Sequence, residues 1–495
     1  MTTLQFAALL LAVIGPLMVL ARLLRLPDTL ALFGAGAASA FLPGLPPVKV
    51  DPQLILELFL PPVIYASTVR VSYHLLRFTL LPGVLLGALL TLATAAAASV
   101  VAWLLLPELP WTSAVLLGIL VSLFDTRLFH EAKGRPKVPR AVADTLKARE
   151  MVTRVLLVTG FGLAVGVLTE GEASMPALFG GFAYDLLGGI MAGFALGRAM
   201  VWLRERVHPA PLEIAVSVAT PYLGALLAKA AGLQGVVVIM TAALVISAVR
   251  IDRRTGAPHS SSEARITAMA FWEQASLMLS AVLFFLAGRA MPGAVRDLGD
   301  WALPAAALAA AGLLLLVLVI QYAVGYATAA LPQVATALSG TTRAAAAAII
   351  AWASTRSVVG LMLALSIPTD AAGGQPYADR NLILVVVALV IVGSVVVQGL
   401  TLRPAVRRAA LSDHREEDEE ERLAERTMAE ARGREAAGGE GEAANGFDAE
   451  RRALLALREE DRIGDELLRS LLREVDLRSR VEEKGSLPGA GPPSP

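Results

Sequence analysis

Apolar stretches long enough to cross a bilayer recur along most of this chain, and no other feature of it restricts the fold as strongly. A helix needs about 20 apolar residues to span the hydrocarbon core. The backbone there must satisfy its own hydrogen bonds, which leaves helices as the natural spanning element. Thirteen runs qualify, at about 4–24, 28–45, 53–68, 77–106, 112–130, 149–168, 175–203, 211–230, 232–250, 268–290, 301–328, 344–367 and 381–404. The second and third are short and bounded by proline. The first lacks the charged start and small-residue cleavage site of a signal peptide, so it is expected to stay as a span. Residues 1–404 are therefore expected to form one all-α polytopic membrane domain. Composition agrees: only 17% of the 495 residues are charged, against roughly 25% in soluble domains.

The residue inventory excludes several function classes. Cysteine is absent, which removes disulfides, thiolate metal sites and cysteine catalysis. The 5 histidines show no paired metal-binding spacing. No basic stretch is interleaved with aromatics, so nucleic-acid binding is not expected. No nucleophile–base pair or cofactor motif is present, so neither an enzyme nor a bound cofactor is expected.

Basic residues set the expected orientation. With the N-terminus outside, the inner loops hold Arg22 and Arg25, Arg70 and Arg77, Lys133 to Arg140, Arg204 and Arg206, Arg253 and Arg254, Arg343, and Arg403 to Arg408. The outer loops hold Glu108, Glu170, Glu172, Asp297, Asp300 and Asp370 with few bases. This is a positive-inside pattern, and it puts the C-terminus in the cytoplasm. Residues 405–495 carry 16 basic and 23 acidic residues, an acidic tail after a basic membrane domain. Helices are expected at about 413–434 and, as one or two amphipathic segments, 450–480. A flexible linker is expected at 433–446 and a disordered end from Gly485. The tail reads as a packing or dimer-contact module, with a regulatory role as the alternative.

An ionisable group inside a span costs on the order of 2.5–3.5 kcal/mol at mid-helix, so each one needs a partner or a task. Asp125 lies late in the fifth run, where a carboxylate can carry a proton or a cation, or can stay paired with an arginine. Arg149, Glu150 and Arg154 open the sixth run. Glu150 precedes Arg154 by four residues, the favourable order for a helical ion pair. A cluster snorkelling to the inner interface is the other reading of these three. Arg356 sits mid-span, too deep to snorkel, and is expected to partner a buried carboxylate. Glu273 and Glu213 are expected at interfaces, and Asp185 shows no evident partner.

Six segments, in order, carry a resemblance. They are Leu60-Pro61-Pro62-Val63-Ile64-Tyr65; Pro221-Tyr222-Leu223 with Gly232-Leu233-Gln234-Gly235; Phe271-Trp272-Glu273; Trp352 to Arg356; Ser366-Ile367-Pro368; and Gln398-Gly399-Leu400-Thr401-Leu402. They are similar to the LPPLLF, PYL with GVSG, FWE, WGGLRG, SIP and QGLTL segments of the monovalent cation:proton antiporter-1 family, the NhaP-like bacterial sodium/proton antiporters. The resemblance covers residues 1 to about 404. It implies about thirteen membrane helices in inverted repeats, broken helices at the ion site, a homodimer in the inner membrane, and exchange of a monovalent cation for protons. Sodium is the first expectation, with potassium or lithium as alternatives, and no metal beyond the transported ion.

The ion-site motifs depart from the family pattern. The family's TDP maps onto Phe124-Asp125-Thr126, and the Asn-Asp pair ending its GESLxND segment maps onto Thr153-Arg154. The ion-binding aspartate is thus replaced by Arg154, and the motif's Glu and Ser by Arg149 and Glu150. Ala66 stands where the family has a glutamate. Asp125, Thr126, Glu150 and Thr153 remain as ion or proton ligands, with Arg149, Arg154 and Arg356 as charge partners. Opposite charges about 4 Å apart gain on the order of 4 kcal/mol at an effective dielectric of about 20. Losing that attraction weakens cation binding by roughly a thousandfold. Two arrangements rescue the site. Arg154 pairs with Glu150 and leaves Asp125 as the carrier, or Arg154 pairs with Asp125 and locks the protein. Glu150 is also a candidate to pair with Arg356 in place of the family glutamate. The locked form predicts a non-transporting scaffold or sensor. An anion transporter is a third reading, motivated only by the added arginines.

Overall fold

The computed structural model describes residues 3–24, 26–43, 45, 51–69, 82–126, 140–171, 174–206, 210–248, 262–299, 302–328, 330, 343–399, 401, 415–437, 443–460 and 462–485. Most of the inner-loop bases used above and the residues after Gly485 lie outside that set.

The apolar runs fold as helices. They are α1 (Thr3–Leu23), α2 (Asp28–Ser39), α3 (Leu60–Thr68), α4 (Pro82–Leu105), α5 (Trp111–Ser122), α6 (Arg140–Glu170), α7 (Met175–Arg204), α8 (Ala210–Ala231), α9 (Gly235–Ala248), α10 (Ser262–Asp297), α11 (Ala302–Thr328), α12 (Arg343–Ala353), α13 (Val358–Leu365) and α14 (Arg380–Ser394). A π-helical turn, Ile55–Phe59, leads into α3, and another, Val395–Gly399, follows α14. Each of the thirteen apolar runs holds at least one of these helices. Among the described residues seven helices are long and apolar enough to cross a bilayer. They lie in α4, α6, α7, α8, α10, α11 and α14. Trp111–Ser122 and Gly235–Ala248 are shorter apolar helices, and two of the runs are broken.

Small residues let these helices approach closely, as membrane bundles require where no hydrophobic effect drives association. Gly189, Gly193 and Gly197 form one buried stripe of α7. It lies against Val237, Val238, Thr241 and Val245 of α9, with no room for a side chain. Gly36 of α2 and Gly288 of α10 are a reciprocal pair. A Cβ at Gly36 would strike the Phe285 carbonyl, and one at Gly288 the Phe33 carbonyl.

Two interrupted helices cross at the centre. After α5 the chain is extended through β1 (Phe124–Asp125), and between α12 and α13 through β2 (Thr355–Arg356). The two strands pair antiparallel, with Phe124 opposite Arg356 and Asp125 opposite Thr355. Ser357 starts α13 by accepting the Val359 amide at 3.1 Å, a side-chain N-cap.

The tail segment folds into α15 (Arg415–Ala437), α16 (Ala443–Glu459) and α17 (Asp465–Gly485). The expected linker is therefore shorter than 433–446, because α15 and α16 extend into both of its ends. The stretch expected at 450–480 is parted near Gly464, whose amide donates to Glu420 at 2.8 Å. The three helices share a core of Ala424, Met428, Phe447, Leu454, Leu457, Ile463, Leu468, Leu471 and Val475. Within it Glu450 is fully buried between Arg432 and Arg478. Helix α17 also packs against α10.

Candidate functional site

The crossing puts extended backbone in the middle of the bundle, with carbonyls and amides that no helix satisfies. Arg356 meets part of that need. Its guanidinium donates to the carbonyls of Val121 at 3.0 Å, Ser122 at 3.4 Å and Ser354 at 2.9 Å. Val121 and Ser122 end α5, and Ser354 follows α12. One cation thus serves the negative dipole ends of both interrupted helices. The expected carboxylate partner for Arg356 is corrected here: among the described residues none lies within ion-pair range. The Arg356 amide donates to Ser394 Oγ at 3.1 Å. Gln398 braces the same turn by donating to the carbonyls of Ala351 and Ser354.

Helix α6 brings its charged turn against β1. Arg149, Glu150, Thr153 and Arg154 are all buried, and so are Asp125 and Thr126. The snorkelling reading of the α6 cluster therefore does not hold. Glu150 is the hub. Its Oε1 lies 2.6 Å from Arg154 Nη2. Its Oε2 accepts the Thr126 hydroxyl at 2.7 Å and the Thr126 amide at 3.4 Å. Lys147, partly exposed, reaches Oε2 at 3.5 Å. Arg154 Nη1 donates to Ser67 Oγ of α3 at 2.7 Å. Asp125 Oδ2 stands 3.9 Å from Arg154 Nη2, within ion-pair range but beyond hydrogen-bond length. Arg154 thus sits between two carboxylates and is hydrogen-bonded to Glu150. Thr153, one residue away, shares a 2.7 Å hydrogen bond with Thr91 of α4.

Arg149 points elsewhere. Its Nη2 donates to Gln321 Oε1 of α11 at 2.5 Å, and its guanidinium carbon lies 4.6 Å from the centre of the Phe124 ring. Glu150 pairs with neither Arg149 nor Arg356; its carboxylate is taken up by Thr126, Lys147 and Arg154.

Sequence reasoning missed Ser67, Thr91, Gln321, Ser394 and Gln398 as site residues. Gln321 had a signal, as a lone amide in the apolar run of α11. The hydroxyls had none, because serine and threonine are ordinary in membrane helices. Asp185 does have a partner, accepting the Gln234 amide at 2.9 Å just before α9. Glu213 is buried and 3.7 Å from Arg204. Glu273 is exposed beside Trp272, whose indole donates to Ser217 at 2.9 Å.

With this geometry in hand, comparison decides the family. The model of the transmembrane sodium/hydrogen exchanger matches residues 9–408. The chain belongs to that family. It is a multi-pass membrane protein of a family of transporters, not of enzymes. An uncharacterised Na+/H+ exchanger of Mycobacterium tuberculosis is 31% identical over 374 residues, 74% of this chain and 67% of the relative. The Na+/H+ antiporter NhaS2 of Synechocystis is 25% identical over 292 residues, 58% of this chain and 52% of that protein. The fold is that of the sodium proton antiporter MjNhaP1 from Methanocaldococcus jannaschii. The two superpose with a TM-score of 0.61 at 16% identity, over 83% of this chain and 99% of the other. The chain departs from the family pattern described above at the buried Arg154.

Proposed function

We propose that this exchanger is a secondary active transporter that swaps a monovalent cation, sodium first, for protons, with Asp125 as the carrier. The supporting observation is the unequal placement of Arg154, 2.6 Å from Glu150 and 3.9 Å from Asp125. A guanidinium stays charged at any relevant pH and cannot shuttle protons. Held by Glu150 and Ser67, it acts as a fixed cation, while Asp125 makes the longer contact and is the carboxylate better placed to trade it for a proton or a metal ion. Thr126 and Thr153 supply neutral oxygens next to the two carboxylates. Residues 1–404 are the transport unit and 405–495 a cytoplasmic tail. The charge distribution supports that division and an outside N-terminus, and the family resemblance implies a place in the inner membrane. A homodimer follows from the family resemblance alone.

The test is pH-gradient dissipation in everted vesicles from an antiporter-deficient host, with sodium, lithium and potassium added in turn. Cation-dependent dissipation that Asp125→Asn abolishes is the expected result. Full exchange in Asp125→Asn removes the proposal.

The second reading is a locked homologue acting as a scaffold or sensor. It is favoured by the same 3.9 Å approach of Arg154 to Asp125, which leaves the guanidinium in reach of the carrier. Well-expressed protein that dissipates no gradient with any cation supports it. Recovery of exchange in the double variant Arg154→Asp with Thr153→Asn would then identify Arg154 as the lock.

A further inference from the structure

We infer that Arg149 holds a resident small monovalent anion, of which chloride is the simplest, on its unpartnered Nε and Nη1. Arg149 is 94% buried, with 6% of its surface exposed. Among the described residues its guanidinium has one polar contact, the neutral Gln321 carbonyl oxygen on Nη2. Its Nε and Nη1 have no hydrogen-bond partner among the described residues. Buried polar atoms are nearly always partnered, and an uncompensated buried charge is among the costliest things a fold can carry. The Phe124 ring face offers some attraction but accepts neither of these N–H groups in their own plane.

Charge balance points to an anion rather than a neutral ligand. Around the crossing, the described buried groups are Asp125 and Glu150 against Arg149, Arg154 and Arg356. Lys147, partly exposed, also reaches Glu150, so Arg154 and Lys147 together balance the two carboxylates, and Arg149 and Arg356 are left without an acid among the described residues. Both carboxylates lie within ion-pair range of Arg154, and Arg356 is spent on helix-end carbonyls. The excess therefore falls on Arg149. A single negative charge cancels it, which selects a monovalent ion over a phosphate dianion. Ser122, which ends α5 two residues before Phe124, has a buried hydroxyl that is also without a partner among the described residues. It is a second donor on the segment that carries Phe124. An ordered water would accept a hydrogen bond from Arg149 but would leave the charge in place.

This assignment does not rest on cation exchange, and its test reads binding. The full chain is purified in detergent in sodium gluconate, and chloride replaces gluconate at constant sodium and ionic strength. Radiolabelled chloride binding and the thermal unfolding midpoint are followed together. The expected result is one saturable chloride per chain and a saturable rise in the midpoint, since a ligand specific to the native state stabilises it. Arg149→Met is expected to lose both effects. Arg149→Lys, which keeps the charge but not the planar set of donors, is expected to bind at least tenfold more weakly. Absence of saturable binding in the unaltered chain overturns the assignment whatever the variants do. So does undiminished binding in either variant. Chloride flux above background in proteoliposomes would show a transported rather than a resident anion, and would overturn it too.

Discussion

Arg154 and Glu150 face each other one helical turn apart at 2.6 Å, and both are buried. That pair converts what would be a cation site into one with a cation of its own. The same guanidinium bonds Ser67 on α3, so the pair ties α6 to a second helix as well as to the crossing strand.

Glu150→Gln is expected to be worse than its conservative look suggests. It strips Arg154 of its hydrogen-bonded counter-charge and leaves Asp125, at 3.9 Å, as the one acid in reach among the described residues. Breaking a buried pair costs about 3–5 kcal/mol. Thermal unfolding in detergent should show a clear fall in the midpoint, and vesicle assays should show at least a tenfold loss of exchange. An unchanged midpoint would mean that the pair is not formed.

Ser67→Ala tests the other anchor. It removes one hydrogen bond to a charged group, worth about 1.5–3 kcal/mol. A smaller fall in midpoint than for Glu150→Gln is expected, together with an altered concentration dependence on the driving cation. The two variants share Arg154, so their combined effect should be less than additive.

Arg356→Lys keeps the charge but loses the fork that reaches carbonyls on two helices. Lysine is a point charge on a flexible stem and cannot hold three acceptors in fixed directions. Reduced recovery of folded protein on size-exclusion chromatography and loss of most exchange are expected. Normal values for both would mean that the carbonyl contacts are dispensable.

Gly288→Val should fail at assembly rather than at transport. Its Cβ would meet the backbone carbonyl of Phe33, which cannot rotate away as a side chain would. Forcing volume into a close contact costs about 1–3 kcal/mol and often more. Loss of monodisperse protein is the expected readout, with Gly293→Ala, which has open space at its Cβ, as the control.

Tyr377 gives a pH prediction. Burial raises its phenol to about 12; the Ser113 hydrogen bond opposes that rise and the Asp379 carboxylate adds to it. An unfolded tyrosine loses its proton near pH 10. Between about pH 10 and 12 the folded state thus holds a proton that the unfolded chain has released, and stability falls as pH rises. Below pH 10 this group contributes no pH dependence. The stability difference between the unaltered protein and Tyr377→Phe should therefore be constant from pH 6 to 9 and shift against the unaltered protein above pH 10.

The sequence alone determined that this chain is a helical membrane bundle. The length and polarity of a run are local properties, and a bilayer admits few solutions to them. It also determined the family, through six ordered segments, and it put Glu150 and Arg154 within reach of each other, because a spacing of four on a helix fixes proximity. It could not choose between Glu150 and Asp125 as the counter-ion of Arg154. One is a neighbour along the helix, and the other approaches only when α6 packs on the crossing strands. Arg149 finds Gln321 across 172 positions of chain, and Arg356 finds carbonyls rather than an acid. Those choices were made by tertiary packing. A side chain bonds whatever the folded backbone brings within about 3 Å, and no local pattern records which residue that will be.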